Sequence, residues 1–211
     1  MSGKTPETLR VKGQHPEPAF LERALLLLAA GELLVYPTDT LYAIGGLAND
    51  PEVSARVRRA KGREEGKGLP LIAADAAQAR SLCAAWPARA AALADRFWPG
   101  PLTLVLPSLE TLPATLTAGL GTVAVRVPAL ALARALCARG PLVSTSANRS
   151  GGPAPSTCAE AVRGVGKAAA LALDAGALRG APSTIVSLVG PEPELLRQGA
   201  IAWAEVRRAL R

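Results

Sequence analysis

Histidine is almost missing from this sequence: His15 is the only one, and it lies in a polar N-terminal stretch. Ser-His-Asp and Cys-His machinery and histidine metal sites are therefore excluded from the core, and any catalysis must draw on other groups. Cysteine is scarce too. Cys83, Cys137 and Cys158 are widely spaced, odd in number and form no CxxC pair. This argues against a disulfide framework or zinc knuckle and for reduced, buried thiols in a cytoplasmic protein. Aromatic residues make up only 3% of the chain, with no RNP-like stacking pattern. No apolar run approaches the roughly 20 residues that span a bilayer. The longest, 24–30, is too short, so no membrane partner is expected. The stretch 1–18 is polar and broken by prolines, unlike a signal peptide. Neither GxxxxGK[ST] nor a GxGxxG following a strand occurs, which disfavours a P-loop or dinucleotide fold; Gly45-Gly46 alone is no phosphate loop.

What is present is a basic, apolar chain of 211 residues, 49% hydrophobic, with 20 glycines, 18 prolines and a net charge of +7. That length suits one domain with a substantial core. The charge suits polyanions such as ATP phosphates or RNA, and equally a solvated basic surface. Residues 1–16 read as a flexible leader and 17–205 as the domain. Apolar spacing and breakers predict helices over 18–30, from Pro51 through Ala60, over 76–84, 88–97 and 129–138, from Ser156 or Thr157, and over 203–210. Short apolar strands are predicted at 33–36, 69–73, 102–106, 122–127, 142–145, 169–173, 184–189 and 195–196. Strands and helices interspersed in this way predict a single-domain α/β fold, a twisted mixed sheet with flanking helices. The pattern does not give the strand order.

Four segments carry polar residues where a core strand should stop. They are Tyr36-Pro37-Thr38-Asp39-Thr40, Lys61-Gly62-Arg63 continuing to Lys67, Ser144-Thr145-Ser146-Ala147-Asn148, and Pro182-Ser183-Thr184 with Arg197 beyond. Residues two apart share a face only in extended chain. If extended, Lys61 and Arg63 point together, as do Thr38 with Thr40, and Ser144 with Ser146 and Asn148. Two cations suit phosphate or carboxylate oxygens, and hydroxyls with an amide complete a small polar site. Each segment also has a plain structural reading. Lys61 and Arg63 suit the cationic end of a helix. Ser146 and Asn148 suit a turn before Gly151-Gly152, and Thr38 with Asp39 a turn after Pro37.

In order and spacing, however, these segments resemble the YrdC-like, threonylcarbamoyl-AMP synthase family. The family pattern is a PTDT-type turn (37–40), a Lys-x-Arg pair (Lys61, Arg63) and a later Ser-x-Asn (Ser146, Asn148). FWPGPLTLVL at 97–106, TVAVRVP at 122–128, SANRSG at 146–151, GAPSTIV at 180–186 and LRQGAI at 196–201 are also similar to it, so the likeness covers about 18–203. Two positions depart from the pattern. Ala43 follows Tyr42 where the family often has glycine, which requires a negative φ at Ala43. Gly68 stands where the family often has proline after the lysine, which loosens the loop around Lys67. Relatives with an additional C-terminal domain exist; this chain resembles the short single-domain form.

The resemblance implies an open α/β sheet with a concave basic face. It also implies a nucleotidyltransferase reaction: L-threonine, bicarbonate and ATP give threonylcarbamoyl-AMP and pyrophosphate. A threonylcarbamoyl transferase complex then modifies adenosine 37 of tRNAs reading codons that begin with A, and tRNA is a further expected partner. Lys61 and Arg63 would be catalytic, neutralising phosphate and carbamate charge. Arg63, Lys67, Thr122, Ser146, Asn148 and Arg197 would hold ATP. Thr40, Arg126, Ser144 and Ser183 would hold threonine, Arg126 pairing its carboxylate. No metal site made by protein alone is expected; Mg2+ would come on the ATP phosphates. The segment 64–68, with Gly66 and Gly68, is the expected mobile loop. The alternatives are a non-catalytic double-stranded RNA or tRNA-binding module of the same fold, and a carbamoyl-transfer domain like that of hydrogenase maturation.

Overall fold

The computed structural model describes residues 5–11, 17–63 and 66–211. Local chemistry sets several element ends. α1 (Pro18–Ala29) opens with proline in its first turn, where no backbone donor is needed, and stops before Gly31, whose φ of +77° is left-handed. α2 (Pro51–Lys61) is capped by Asp50, whose Oδ1 accepts from Glu52 N at 2.9 Å, and ends on left-handed Gly62. α7 (Cys158–Val165) starts from a capping box in which Thr157 and Glu160 each accept the other's backbone N–H.

The strands form two sheets, not the one expected. The five-stranded sheet runs β1 (Glu7–Arg10), β9 (Leu171–Asp174), β2 (Leu34–Pro37), β3 (Tyr42–Gly45), β8 (Thr145–Ser146). The six-stranded sheet runs β11 (Glu194–Arg197), β10 (Thr184–Ser187), β5 (Leu102–Pro107), β6 (Thr122–Arg126), β4 (Leu71–Ile72), β7 (Leu142–Val143). Both mix parallel and antiparallel pairs. The predicted strand at 142–145 is where the chain changes sheet: β7 pairs with β4, β8 pairs with β3, and Ser144 stands between them. No hydrophobic pattern marks such a switch, because the chain stays extended while apolar Leu142-Val143 passes into polar Thr145-Ser146.

The helices cover the sheets and create three apolar clusters. α1 and α6 (Ala131–Leu136) pack on one face of the five-stranded sheet through Ala24, Leu28, Leu132 and Leu136 against Leu34, Tyr36 and Leu173. α2 and α7 pack on its other face, joining Val35, Ile44 and Val57 to Val125 and Val143 of the second sheet. α4 (Ala88–Phe97) and α8 (Trp203–Ala209) cover Leu102, Leu104 and Val186. Two short helices, α3 (Ala76–Arg80) and α5 (Ala114–Thr117), complete the set.

Two elements depart from expectation. Residues 7–10, assigned to a flexible leader, form β1, in parallel register with β9. Only Leu9 of that strand is even partly buried, so its order comes from backbone pairing, which leaves no apolar periodicity to read. Val11, also in the leader, is buried in the cluster under α1, whereas residues 1–4 and 12–16, including His15, lie outside the described residues. β3 was not anticipated either. Its four residues sit inside the polar-ended motif, and Gly45 packs so closely that a Cβ there would lie 1.5 Å from Val143 O. Ala43 in that strand avoids a positive φ, as its substitution for glycine requires. All three cysteines are free, and among the described residues no helix is long and apolar enough to cross a membrane.

Candidate active site

Register in the six-stranded sheet explains where the polar residues meet. Alternation sends Leu104, Val125 and Val186 to one face, into the apolar clusters. It sends Thr103 and Val105 of β5, Ala124 and Arg126 of β6, and Ile185 of β10 to the other. The turn 38–41 between β2 and β3 stands over this second face. Together they enclose a cavity of about 390 Å³, rimmed by Arg63, Ser144, Ser146, Ser183 and Arg197.

The turn is built from side chains. Thr38 Oγ1 accepts from Thr40 N (3.2 Å) and Leu41 N (3.1 Å) and donates to Leu41 O (2.7 Å). Thr40 Oγ1 sits 2.9 Å from Thr38 Oγ1. Thr38 and Thr40 are thus brought together by a hydroxyl-closed turn and not by strand alternation. Gly180 lies against it, so close that a Cβ would be 2.5 Å from Asp39 O. Across the cavity, Arg126 Nη1 donates to both Asp39 oxygens (2.9 and 3.1 Å) and Nη2 to Thr40 Oγ1 (3.3 Å). Arg126 therefore has a carboxylate partner within the chain, which the resemblance had reserved for threonine. Burial lowers its pKa, and Asp39 opposes that shift.

On the opposite rim a second polar chain runs from Thr103 Oγ1 to Ser183 Oγ (2.9 Å), and Arg197 Nη2 donates to the same Ser183 Oγ (3.0 Å) and to Ser183 O (2.8 Å). Burial, then the nearby Arg126 charge, lowers the Arg197 pKa. With Arg63, three guanidiniums thus converge on one cleft.

Lys61 and Arg63 do not alternate along extended chain. Lys61 is the last residue of α2, Gly62 turns the chain at φ +59°, and Arg63 follows. They line a second cavity of about 500 Å³ together with Lys67, Ser146 and Asn148. The two cavities share Arg63, Thr145 and Ser146. Arg63 Nη2 donates to Gly68 O at 2.9 Å, and its Nε is buried with no acceptor among the described residues. Burial, then Arg58, lowers its pKa. A desolvated guanidinium short of an acceptor favours an anionic ligand. Lys61 Nζ instead donates to Ser146 O (2.5 Å) and Asn148 O (2.6 Å).

Of the expected site residues, only Thr122 lines neither cavity. It shares the cleft face of Ala124 and Arg126 but lies at the far end of β6, opposite Pro107. Lys67 is exposed at the rim of the second cavity. Glu64 and Glu65, in the expected mobile loop, lie outside the described residues. Sequence reasoning missed Asp39 as a partner of Arg126, and it missed Thr103. A threonine within the apolar run 102–106 was the available signal for the second. The polar lining groups are guanidinium, ammonium, hydroxyl and amide, and the nearby Asp39 carboxylate is already bound by Arg126. This set suits charged oxygen-rich ligands and positions them without a protein nucleophile.

Known proteins share this architecture. Residues 26–199 match the Sua5/YciO/YrdC family model, described as "Telomere recombination". The threonylcarbamoyl-AMP synthase of Pyrococcus abyssi is 38% identical over 183 residues, covering 85% of this chain and 54% of that protein. The threonylcarbamoyl-AMP synthase of Bacillus subtilis is 34% identical over 194 residues, covering 90% of this chain and 56% of that protein. The crystal structure of P. abyssi Sua5 complexed with L-threonine superposes with a TM-score of 0.92 at 35% identity, over 96% of this chain and 60% of that one. The chain thus spans little more than half the length of these two curated relatives. With most of its length matched by the family model, and with two-sheet α/β architecture in common, the chain belongs to the Sua5/YciO/YrdC family.

Proposed function

We propose that this chain makes threonylcarbamoyl-AMP from L-threonine, bicarbonate and ATP, releasing pyrophosphate. The observation that carries the reading is the shared rim. Arg63 and Ser146 line both cavities, so a ligand in one meets a ligand in the other at these two residues. The threonine amine and bicarbonate form a carbamate with loss of water. A carbamate oxygen then bonds to the α-phosphorus of ATP as the bond to the pyrophosphate oxygen breaks. In this scheme Arg63, Lys67, Ser146 and Arg197 hold the nucleotide. Thr40, Ser144 and Ser183 hold threonine, with Arg126 fixing the turn through Asp39 and offering Nη2 beside Thr40. Catalysis is positioning with charge neutralisation, and it needs no histidine. Mg2+ would enter bound to the triphosphate oxygens, since the cavity lining offers cations and hydroxyls but no carboxylate to hold it. The adenylate would pass to a threonylcarbamoyl transferase complex acting on adenosine 37 of tRNA, with the chain's basic surface available to tRNA.

Pyrophosphate release, measured with threonine or bicarbonate omitted in turn, tests the proposal. Release that requires all three substrates is expected. Release indifferent to threonine, or salt-sensitive binding of double-stranded RNA without turnover, would overturn it.

A further inference from the structure

The two members of each motif pair have different surroundings. Lys61 is 3% exposed. Its Nζ donates to Ser146 O (2.5 Å), Asn148 O (2.6 Å) and Asn148 Oδ1 (3.4 Å), which accounts for all three ammonium protons. Its own carbonyl accepts from Ser150 N at 2.9 Å. The Asn148 amide is spent in the same knot: its Nδ2 donates to Gly152 O (2.6 Å) and Arg149 O (2.9 Å). Arg63 and Ser146, two residues away from each, line both cavities. A buried ammonium held by three oxygens loses more by leaving them than a water-exposed one gains by following a ligand.

We infer that Lys61 is a positioning residue and not a phosphate ligand, with Asn148 as its counterpart. The end of α2 is tied through this pair to the loop 146–152, and the tie sets where Ser146 and Arg63 stand relative to each other. For its ligand the inference rests on the proposed ATP-dependent reaction; for the loop it rests on geometry alone.

Hydrogen exchange of 146–152 without nucleotide tests the tie, in the wild type, Lys61→Met, Asn148→Ala and the double variant. Each single change is expected to raise exchange of this segment about tenfold or more while β5 and β6 stay protected. The double variant should exceed the worse single variant little, because the two groups act as one unit. Affinity for a non-hydrolysable ATP analogue, read by calorimetry, should show the same non-additive pattern, and KM for ATP should rise by a larger factor than kcat falls. Unchanged exchange in Lys61→Met, or affinity losses that multiply in the double variant, would overturn the inference. Should Lys61→Met not fold, the wild-type Lys61 ammonium can be followed by nitrogen-15 NMR. A resonance that pyrophosphate leaves in place supports the tie; one that moves as far as the Arg63 Nε signal sinks it. Altered exchange in a protein that shows no turnover would reject the proposed reaction and leave the tie standing.

Discussion

Asp39 and Arg126 are joined at two points, 2.9 and 3.1 Å, across the gap between the turn of one sheet and a central strand of the other. The side chains are 15% and 8% exposed. Removing one partner of such a pair leaves a buried charge uncompensated. Asp39→Ala should therefore destabilise the fold by about 3 kcal/mol. Urea unfolding checks this, and a loss below about 1 kcal/mol would mean that the pair is solvated or replaceable.

Among the described residues the Arg63 side chain makes one hydrogen bond, to Gly68 O, while its Nε is buried without an acceptor. Its removal should affect ligands more than stability. Arg63→Ala should lower ATP-dependent pyrophosphate release about 100-fold or more, within the range of lost charge-stabilising donors. Pyrophosphate should raise the melting temperature of the wild type but not of the variant. Full activity in Arg63→Ala would remove it from the nucleotide site.

Ser54 lies on the buried face of α2, and its Oγ has no partner among the described residues. A hydroxyl in that state costs about 1 kcal/mol or more of desolvation. Ser54→Ala should stabilise the protein by about 1 kcal/mol in thermal or urea unfolding. A destabilised variant would show that the hydroxyl has found an acceptor, such as a water.

Burial, then the neighbouring Arg63 charge, pushes the Lys61 ammonium down to about 8 from 10.5. Between these values the unfolded chain binds more protons at this site than the folded one, so the site's contribution to stability rises with pH. It is lowest below pH 8 and complete above pH 10.5. The thiols of Cys83, Cys137 and Cys158, pushed up by burial to about 11, about 12 and about 11, act in the opposite direction at high pH. The useful measurement is therefore the wild-type unfolding free energy minus that of Lys61→Met. The difference should climb from pH 8 to 10, and a flat profile would contradict the lowered value.

Most elements were legible in the sequence because they bury an apolar face on their own. α4 was read at 88–97, its observed span, and β5 and β6 to within a residue at their ends. β1 was not legible, since backbone pairing and the Glu7–Arg23 ion pair hold it and only Leu9 is partly buried, and neither was the division into two sheets, which depends on long-range register. At the site, Arg63, Ser144, Ser146, Ser183 and Arg197 were found as polar residues at strand ends, and they do converge. They do not all converge by alternation along extended chain. Lys61 and Arg63 meet the cleft from a helix end, which is the plainer of the two readings open at the start, and Thr38 with Thr40 from a closed turn. The Asp39 partnership could not be inferred, because 87 residues separate it from Arg126.

Ser144 lies between β7 and β8, so five consecutive residues are held by both sheets at once. Such a stretch has no slack. A residue inserted anywhere in 142–146 would have to break pairing with β4 on one side or β3 on the other, and either slip would turn Ser146 out of line with Ser144. The length of the segment is fixed independently of which side chains it carries. Among variants of this chain, 142–146 should tolerate no insertion or deletion.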